Sequence, residues 1–136
     1  MVTKNSERFI LLIRHSSVLF DKRKPTNKWY LSAEGRQRCQ QFAPLVTPFK
    51  PDLFITSKEN KAIETGMLLA KELGVPVQCG RNLHEQERQG APFYPDPQNF
   101  RDKIARLFAT PNQLVFGQET AAQADERFNA AVSEMN

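Results

Sequence analysis

The sequence predicts an α/β fold with a mainly parallel sheet and helices packed on its faces. Three apolar runs, at residues 9–13, 52–56 and 75–79, have the length and composition of buried strands. Amphipathic segments separate these runs, and a β-α-β-α-β order of this kind forms right-handed crossovers. The chain contains no internal repeat and no linker long enough to divide it, so we expect residues 1–136 to form a single domain.

The first predicted strand, FILLI (9–13), is apolar throughout, as expected for a strand that is buried on both faces. A polar loop follows it, and then a helix that Ser32 caps, with Glu34 in its first turn. Pro44 and Pro48 bound or kink the end of this helix. Its apolar side, at steps of three and four residues, consists of Cys39, Phe42, Ala43 and Val46.

The second predicted strand, DLFIT (52–56), leads to Ser57, which we expect to cap a helix that ends at Gly74. The third strand, VPVQC (75–79), follows directly. Two further helices are predicted at 99–109 and 120–135. The first of these is expected to turn Ile104, Leu107 and Phe108 inward, and the second to be capped by Thr120. Between strand and helix, GAPFYPDPQNF (90–100) is predicted to be a loop that forms a lid and decides substrate size.

Composition excludes several classes of protein. The 136 residues are 40% hydrophobic and 25% charged, which is typical of a globular chain. No apolar run approaches the roughly 18 residues of a membrane span, and the polar N-terminus lacks the apolar part of a secretory signal. Cys39 and Cys79 match no metal or redox spacing, so we expect reduced thiols, no bound metal and a cytoplasmic location.

The loop DKRKPTNK (21–28) carries four basic residues and one acid, although the net charge of the chain is only +4. Such a loop is either a solvated basic surface or a funnel that attracts an anionic ligand. Nucleic-acid binding is not expected, because the neighbouring aromatic residues Phe20, Trp29 and Tyr30 form no base-stacking pattern.

Polar side chains gather where the predicted strands end. Arg14 and His15 leave the first strand, Ser57 and Lys61 follow the second, and LHEQE (83–87) follows the third. Because the carboxyl ends of parallel strands share one edge of a sheet, these groups are expected to meet there.

Each of these groups suits a phosphate ester. Arg14 offers a planar fork to two phosphoryl oxygens, and Lys61 adds a point charge. The helix that begins near Ser57 presents unpaired N–H groups. A neutral His15 has a nucleophilic ring nitrogen, and a protonated glutamate can donate a proton to the departing alkoxide. Two carboxylates in one loop, Glu85 and Glu87, are candidates for that acid.

Five motifs in this order resemble those of the histidine phosphatase superfamily, which includes the cofactor-dependent phosphoglycerate mutases. They are LIRHSS (12–17), LSAEGRQRC (31–39), TSKENKAIETGMLLAKELGVPV (56–77), LHEQERQG (83–90) and GQETAAQADERF (117–128). The resemblance implies a phosphoglycerate mutase-like three-layer sandwich with a mainly parallel central sheet, incomplete at the C-terminus.

Position by position, the resemblance implies that His15 is the phosphorylated nucleophile and Arg14 a phosphate clamp. Lys61 takes the place of a second arginine, and Glu85 that of the proton donor. From the residues themselves, two further groups are expected to contact the phosphate: the Ser16 hydroxyl and Ser57 at the helix start. No cofactor or metal is implied, and the expected partner is a phosphorylated small molecule or a phosphoprotein. Water would then remove the phosphoryl group, whereas transfer to a second hydroxyl would make the protein a mutase.

Three departures from the family pattern keep an alternative open. Ser16 stands where the family has glycine, and Lys61 where it has arginine. The family's second histidine, on a later strand, has no counterpart; the only other histidine, His84, lies in a different motif. These departures favour a catalytically impaired phosphate-binding or scaffold protein. The absent strand suggests either a fragment of a longer polypeptide or completion of the sheet by edge pairing in a homodimer.

Overall fold

The computed structural model describes residues 8–135, a mixture of helices with a small parallel sheet. The elements follow in the order α1 (Ala33–Val46), β1 (Phe54–Thr56), α2 (Asn60–Leu73), β2 (Val77–Cys79), α3 (Pro97–Ala109) and α4 (Ala121–Ser133), with single 3-10 turns at Thr26–Lys28 and Thr47–Phe49. None of the helices in this range is long and apolar enough to cross a membrane.

Strands β1 and β2 pair in parallel, with Phe54 opposite Val77 and Thr56 opposite Cys79. This pairing confirms the parallel arrangement expected for two apolar runs joined by a helix. Helix α2 packs against both strands and against α1. The core between them consists of Leu31, Cys39, Ala43 and Leu69, with Ile13, Val18, Phe54, Leu68 and Leu73 packed around it.

Local capping signals define the ends of three helices. The Ser32 hydroxyl accepts a hydrogen bond from Gly35 N–H at the start of α1. Thr120 and Gln123 form a reciprocal capping box at the start of α4. Gly74 ends α2 in the left-handed conformation with φ of 69°. All three of these boundaries agree with the sequence prediction.

The predicted strand at 9–13 is wrong. Residues 9–13 belong to no strand or helix, and they form no backbone hydrogen bonds with the rest of residues 8–135. The side chains of Phe9, Ile10, Leu11 and Leu12 are between 41% and 67% exposed, and only Ile13 packs on the core. An apolar run predicts burial only where flanking strands cover it, and no strand of the described range flanks this segment.

Two smaller expectations are also corrected. Helix α2 begins at Asn60 with Glu59 as its N-cap, so Ser57 does not cap it; the Ser57 hydroxyl accepts from Glu59 N–H at 3.3 Å instead. In α3 the side chain of Leu107 is buried as expected, but Phe108 is 73% exposed. Adjacent residues of a helix project about 100° apart, and Phe108 lies on the solvent side of α3.

Gly35 allows the start of α1 to approach the segment that carries His15. The Ser16 hydroxyl donates to the Gly35 carbonyl at 2.8 Å, and Ser32 N–H donates to the Ser17 carbonyl at 3.0 Å. A Cβ atom on Gly35 would overlap the Ser17 carbonyl oxygen, which is backbone and cannot rotate away. The contact between α1 and residues 16–17 therefore requires glycine at this position.

Arg127 fixes the loop that follows β2. Its guanidinium donates to the backbone carbonyls of Asn82, His84 and Glu85, at 2.7, 3.0 and 3.2 Å. It also pairs with Glu119, with an Nε–Oε1 distance of 2.8 Å. The hydrogen bond from Arg127 holds the pKa of Glu119 below its ordinary value, although burial of that carboxyl acts in the opposite direction. Arg127 thus anchors this loop to α4.

We predict that Gly35→Ala lowers the free energy of unfolding by about 1–3 kcal/mol, because the added methyl group must separate α1 from residues 16–17. Urea denaturation measures the change. Gln40→Ala, on the exposed side of the same helix, is the matched control and is expected to differ little from the parent chain. Equal midpoints for the two variants would contradict the close approach.

We predict that Arg127→Lys loosens the loop at 82–87. Lysine keeps the charge but loses the fork that reaches three carbonyls, so stability should fall by about 1–3 kcal/mol. Hydrogen exchange followed by mass spectrometry should show faster exchange in peptides that cover 82–88, and no change in α1. Arg106→Lys, at an exposed position of α3, is the control. Unchanged exchange at 82–88 would show that Arg127 does not hold the loop.

Candidate active site

His15 is held in one orientation by its own backbone. Its ring Nδ1 lies 2.8 Å from the Ser16 carbonyl oxygen. A carbonyl can only accept, so Nδ1 carries the hydrogen and donates it. In the neutral ring the lone pair is then on Nε2. The imidazole is half-buried just beyond the segment at 9–13 and lines a cavity, so this Nε2 is the nitrogen available to an electrophile.

Lys61 is the most buried charge of the site. It lies in the first turn of α2, its residue is 3% exposed, and its ammonium donates to Glu85 Oε1 at 2.6 Å. A second carboxylate oxygen, from Glu59, is 3.6 Å from the same nitrogen. The structure therefore brings Lys61 and Glu85 into direct contact, and it adds Glu59, which the sequence analysis did not single out.

Glu59 occupies the position at which an anion would meet the start of α2. Its carboxylate accepts from Glu85 N–H at 3.2 Å and from the Ser57 hydroxyl at 3.4 Å. A negative side chain at a helix N-terminus is itself stabilised by the helix dipole. The protein's own carboxylate thus takes part of the role that we expected a phosphate to have here.

Positive charge keeps Glu85 ionised. Burial of the Glu85 carboxyl raises its pKa, but the charges of Arg88 and Lys61 and the hydrogen bond from Lys61 together lower it below the ordinary value. Arg88 Nη2 lies 3.5 Å from Glu85 Oε2. Glu85 is therefore a carboxylate in the unliganded protein and must gain a proton before it can donate one.

Arg88 was also missed by the sequence analysis. Its guanidinium lies 5.4 Å from the ring centre of Phe100 and 5.8 Å from that of Phe116, which are cation–π distances. Its buried Nε has no hydrogen-bond acceptor among the described residues. The motif LHEQERQG contains this arginine, but only the fold shows that it faces Glu85 rather than solvent.

The other predicted site residues differ in how far they are available. Arg14 is exposed beside His15 and forms no ion pair within residues 8–135. Ser16 and Ser57 are engaged: Ser16 donates to the Gly35 carbonyl, and Ser57 contacts Glu59. Of the two candidate acids, Glu85 contacts Lys61, whereas Glu87 lies beside His84, with 3.8 Å between Glu87 Oε2 and His84 Nε2. Of the two, Glu85 lines the cavity that also contains His15.

Two cavities meet at this cluster. The first, which we call the groove, has a volume of about 1160 Å³ and is lined by residues 8–15, residues 49–57 and side chains of α2 and α4. The second, the chamber, has a volume of about 1360 Å³ and is lined mainly by residues 22–29 and 80–95. Glu59, His84 and Glu85 line both cavities. Arg14 and His15 face the groove.

The arrangement suits an oxyanion better than a metal ion. Lys61 pairs with Glu59 and Glu85, Arg88 pairs with Glu85, and Arg14 lines the same groove, so these three cations exceed the two carboxylates by one charge with His15 neutral. No group of three or more His, Cys, Asp or Glu side chains within residues 8–135 is arranged to hold a metal ion.

Comparisons with known proteins identify solved structures of similar fold. One similar solved structure is a mycobacterial glucosyl-3-phosphoglycerate phosphatase with inorganic phosphate, with a TM-score of 0.66, 20% identity, and coverage of 89% of this chain and 59% of that one. Another is a mycobacterial hydrolase, with a TM-score of 0.70, 17% identity, and coverage of 89% of this chain and 55% of that one. At these identities the likeness establishes the fold, which is phosphoglycerate mutase-like.

The chain spans only 55% to 60% of the length of these solved structures. A search among curated proteins gave no match to the sequence. The sequence model of the histidine phosphatase superfamily (branch 1), however, matches residues 10–136, nearly the whole chain. The resemblance seen in the five motifs is thereby confirmed, and this chain belongs to the histidine phosphatase superfamily.

Proposed function

We propose that the protein hydrolyses phosphate monoesters through a phosphohistidine at His15. The observation that supports this most directly is the hydrogen bond from Nδ1 to the Ser16 carbonyl, because it leaves Nε2 bare and oriented at the edge where Arg14 and Glu85 also lie. Membership of the superfamily supports phosphatase-type chemistry in general. The substrate is a phosphorylated small molecule or a phosphoprotein.

In the first step, His15 Nε2 attacks phosphorus and forms a P–N bond while the ester P–O bond breaks. The electron pair of that bond leaves on the alcohol oxygen, and Glu85, protonated beforehand, supplies the proton. In the second step, Glu85 accepts a proton from water as the water oxygen attacks phosphorus, and the P–N bond breaks to restore His15. Arg14 holds two phosphoryl oxygens throughout.

Glu85 gains its proton when the substrate binds. An incoming phosphate dianion lies close to the carboxylate and raises its pKa by repulsion. The same anion competes for the Lys61 ammonium, which weakens the 2.6 Å contact that now stabilises the ionised carboxylate. Substrate binding therefore converts Glu85 from a carboxylate into the acid that the reaction needs.

A second candidate function is phosphate binding without turnover. It is favoured by the way in which Lys61 is already held between Glu59 and Glu85, so that its charge is largely compensated before any ligand arrives. Ser16, in place of a glycine, is also committed to α1. In this alternative Arg14 binds phosphate, but no phosphoryl group reaches His15.

We predict that His15→Asn abolishes hydrolysis of p-nitrophenyl phosphate, with a loss of about 10³-fold or more. The asparagine amide can still donate to the Ser16 carbonyl but has no nucleophilic nitrogen, so the fold is retained. The assay runs from about pH 5 to about pH 8, the range in which histidine titrates. Phosphoryl transfer to His15 is measured as an acid-labile phosphoryl label on the parent chain.

Equal activity in the parent chain and His15→Asn would exclude His15 as the nucleophile. No activity in either, with phosphate binding that Arg14→Gln abolishes, would establish the second candidate function instead.

We predict that sulfate binding takes up a proton through Glu85. Sulfate remains a dianion over the range tested, so only the protein titrates. Because a bound dianion raises the pKa of Glu85 from its lowered value, affinity should fall as pH rises through the pKa of the bound form. Calorimetry in two buffers of different ionisation enthalpy measures the uptake. The His15→Asn background removes the contribution of the imidazole.

In that background, Glu85→Gln should bind sulfate with less proton uptake, whereas Glu87→Gln should behave as the parent. Loss of uptake in Glu87→Gln alone would assign the acid to the other carboxylate of the loop.

A further inference from the structure

The chamber contains more volume than a phosphoryl group needs. At about 1360 Å³ it exceeds the roughly 300–1,000 Å³ of ordinary ligand pockets. It shares Glu59 and Glu85 with the groove that contains His15. A phosphate ester bound at His15 therefore has room to extend its alcohol part past Glu85 and into the chamber.

One wall of the chamber is built from aromatic side chains in mutual contact. The ring centres of Phe20 and Trp29 are 4.8 Å apart, and those of Phe20 and Phe93 are 5.1 Å apart. The Trp29 indole N–H donates to the Asp21 carbonyl at 2.8 Å, so this ring is fixed and its polar atom is satisfied. A second aromatic set consists of Tyr94, Phe100 and Phe116. Rigid, satisfied rings of this kind favour a flat apolar ligand.

The remaining lining is strongly basic. Seven cations line the chamber against three carboxylates, Glu59, Glu85 and Glu87. The cations are Lys22, Arg23, Lys24, Lys28, Lys58, Arg81 and Arg88. Arg23 and Lys24 pair with Asp21, but Lys22, Lys28 and Lys58 have no carboxylate within 4.0 Å among residues 8–135. Four of the seven cations belong to the loop at 22–28.

Arg88 joins the two regions. Its guanidinium lies 5.4 Å and 5.8 Å from the ring centres of Phe100 and Phe116 and 3.5 Å from Glu85, and its buried Nε has no acceptor among residues 8–135. A buried donor of this kind costs free energy until an acceptor arrives.

We propose that the chamber binds the alcohol part of the substrate, and that this part contains a flat apolar ring and its own anionic group. The inference rests on the proposed function, because it places the phosphoryl group at His15. The aromatic wall contacts the ring, and the loop at 22–28 attracts the second anion. The substrate class is a phosphate monoester of a carboxylated or phosphorylated aryl alcohol.

Non-hydrolysable phosphonates test the proposal by calorimetry without requiring turnover. The ligands are methylphosphonate, 4-carbamoylbenzylphosphonate and 4-carboxybenzylphosphonate, which add first a ring and then a charge. Affinity should rise in that order, by about 2- to 10-fold for the ring. It should rise again by about threefold or more for the charge.

Two variants and a control separate the contribution of the charge from that of the ring. The double variant Lys22→Gln, Lys28→Gln should bind the carboxylated ligand no better than the carbamoyl ligand. Its affinity for methylphosphonate should equal that of the parent chain. Phe93→Ala, at a half-exposed position, should remove the advantage of the ring. The control, Lys71→Gln with Arg106→Gln, removes two exposed charges remote from the chamber and should behave as the parent.

The proposal would be overturned if all three phosphonates bound with equal affinity, or if none of them bound. Its failure is distinct from failure of the proposed function. Graded phosphonate binding without hydrolysis of the corresponding phosphates would retain the chamber as a binding site and reject the phosphatase. Hydrolysis of these phosphates with no preference among them would support the phosphatase and reject the chamber as the binding site of the alcohol part.

Discussion

The structure depends on keeping one buried ammonium group paired. Lys61 is almost fully enclosed, and an isolated charge in such a position would cost several kcal/mol. The fold meets this requirement with two carboxylates, Glu59 from the start of α2 and Glu85 from the loop after β2. The ion pair therefore joins segments that are 24 residues apart, and it places the loop against the helix.

Other features follow from that constraint. The loop must present Glu85 inward, and Arg127 holds three of its carbonyls so that it cannot turn away. Glu119 in turn neutralises Arg127. The result is a chain of charges, from Lys61 through Glu85 and the loop backbone to α4, in which each member limits the movement of the next. His15 lies beside this chain rather than within it, since its own anchor is the Ser16 carbonyl.

Structural features that depend only on residues close in the sequence could be predicted from it. The caps at Ser32 and Thr120 and the stop at Gly74 are local, and all three are found as expected. Pairing of β1 with β2 followed from two apolar runs separated by a helix. The strand at 9–13 failed because its burial depends on segments remote in sequence. Glu59 and Arg88 were not predicted for the same reason. In the sequence each resembles a surface charge, and only the fold places Glu59 beside Lys61 and Arg88 beside Phe100 and Phe116.

The exposed segment at 9–13 bears on whether the protein self-associates in solution. Four of its side chains are largely exposed, and its backbone donors and acceptors are unpaired within residues 8–135. Such a segment readily adds a strand from another molecule. His15 follows it after a single residue, so a molecule that paired with this edge would lie next to the imidazole. Under the proposed function, self-association through this edge would restrict access to His15, and specific activity would then fall as protein concentration rises.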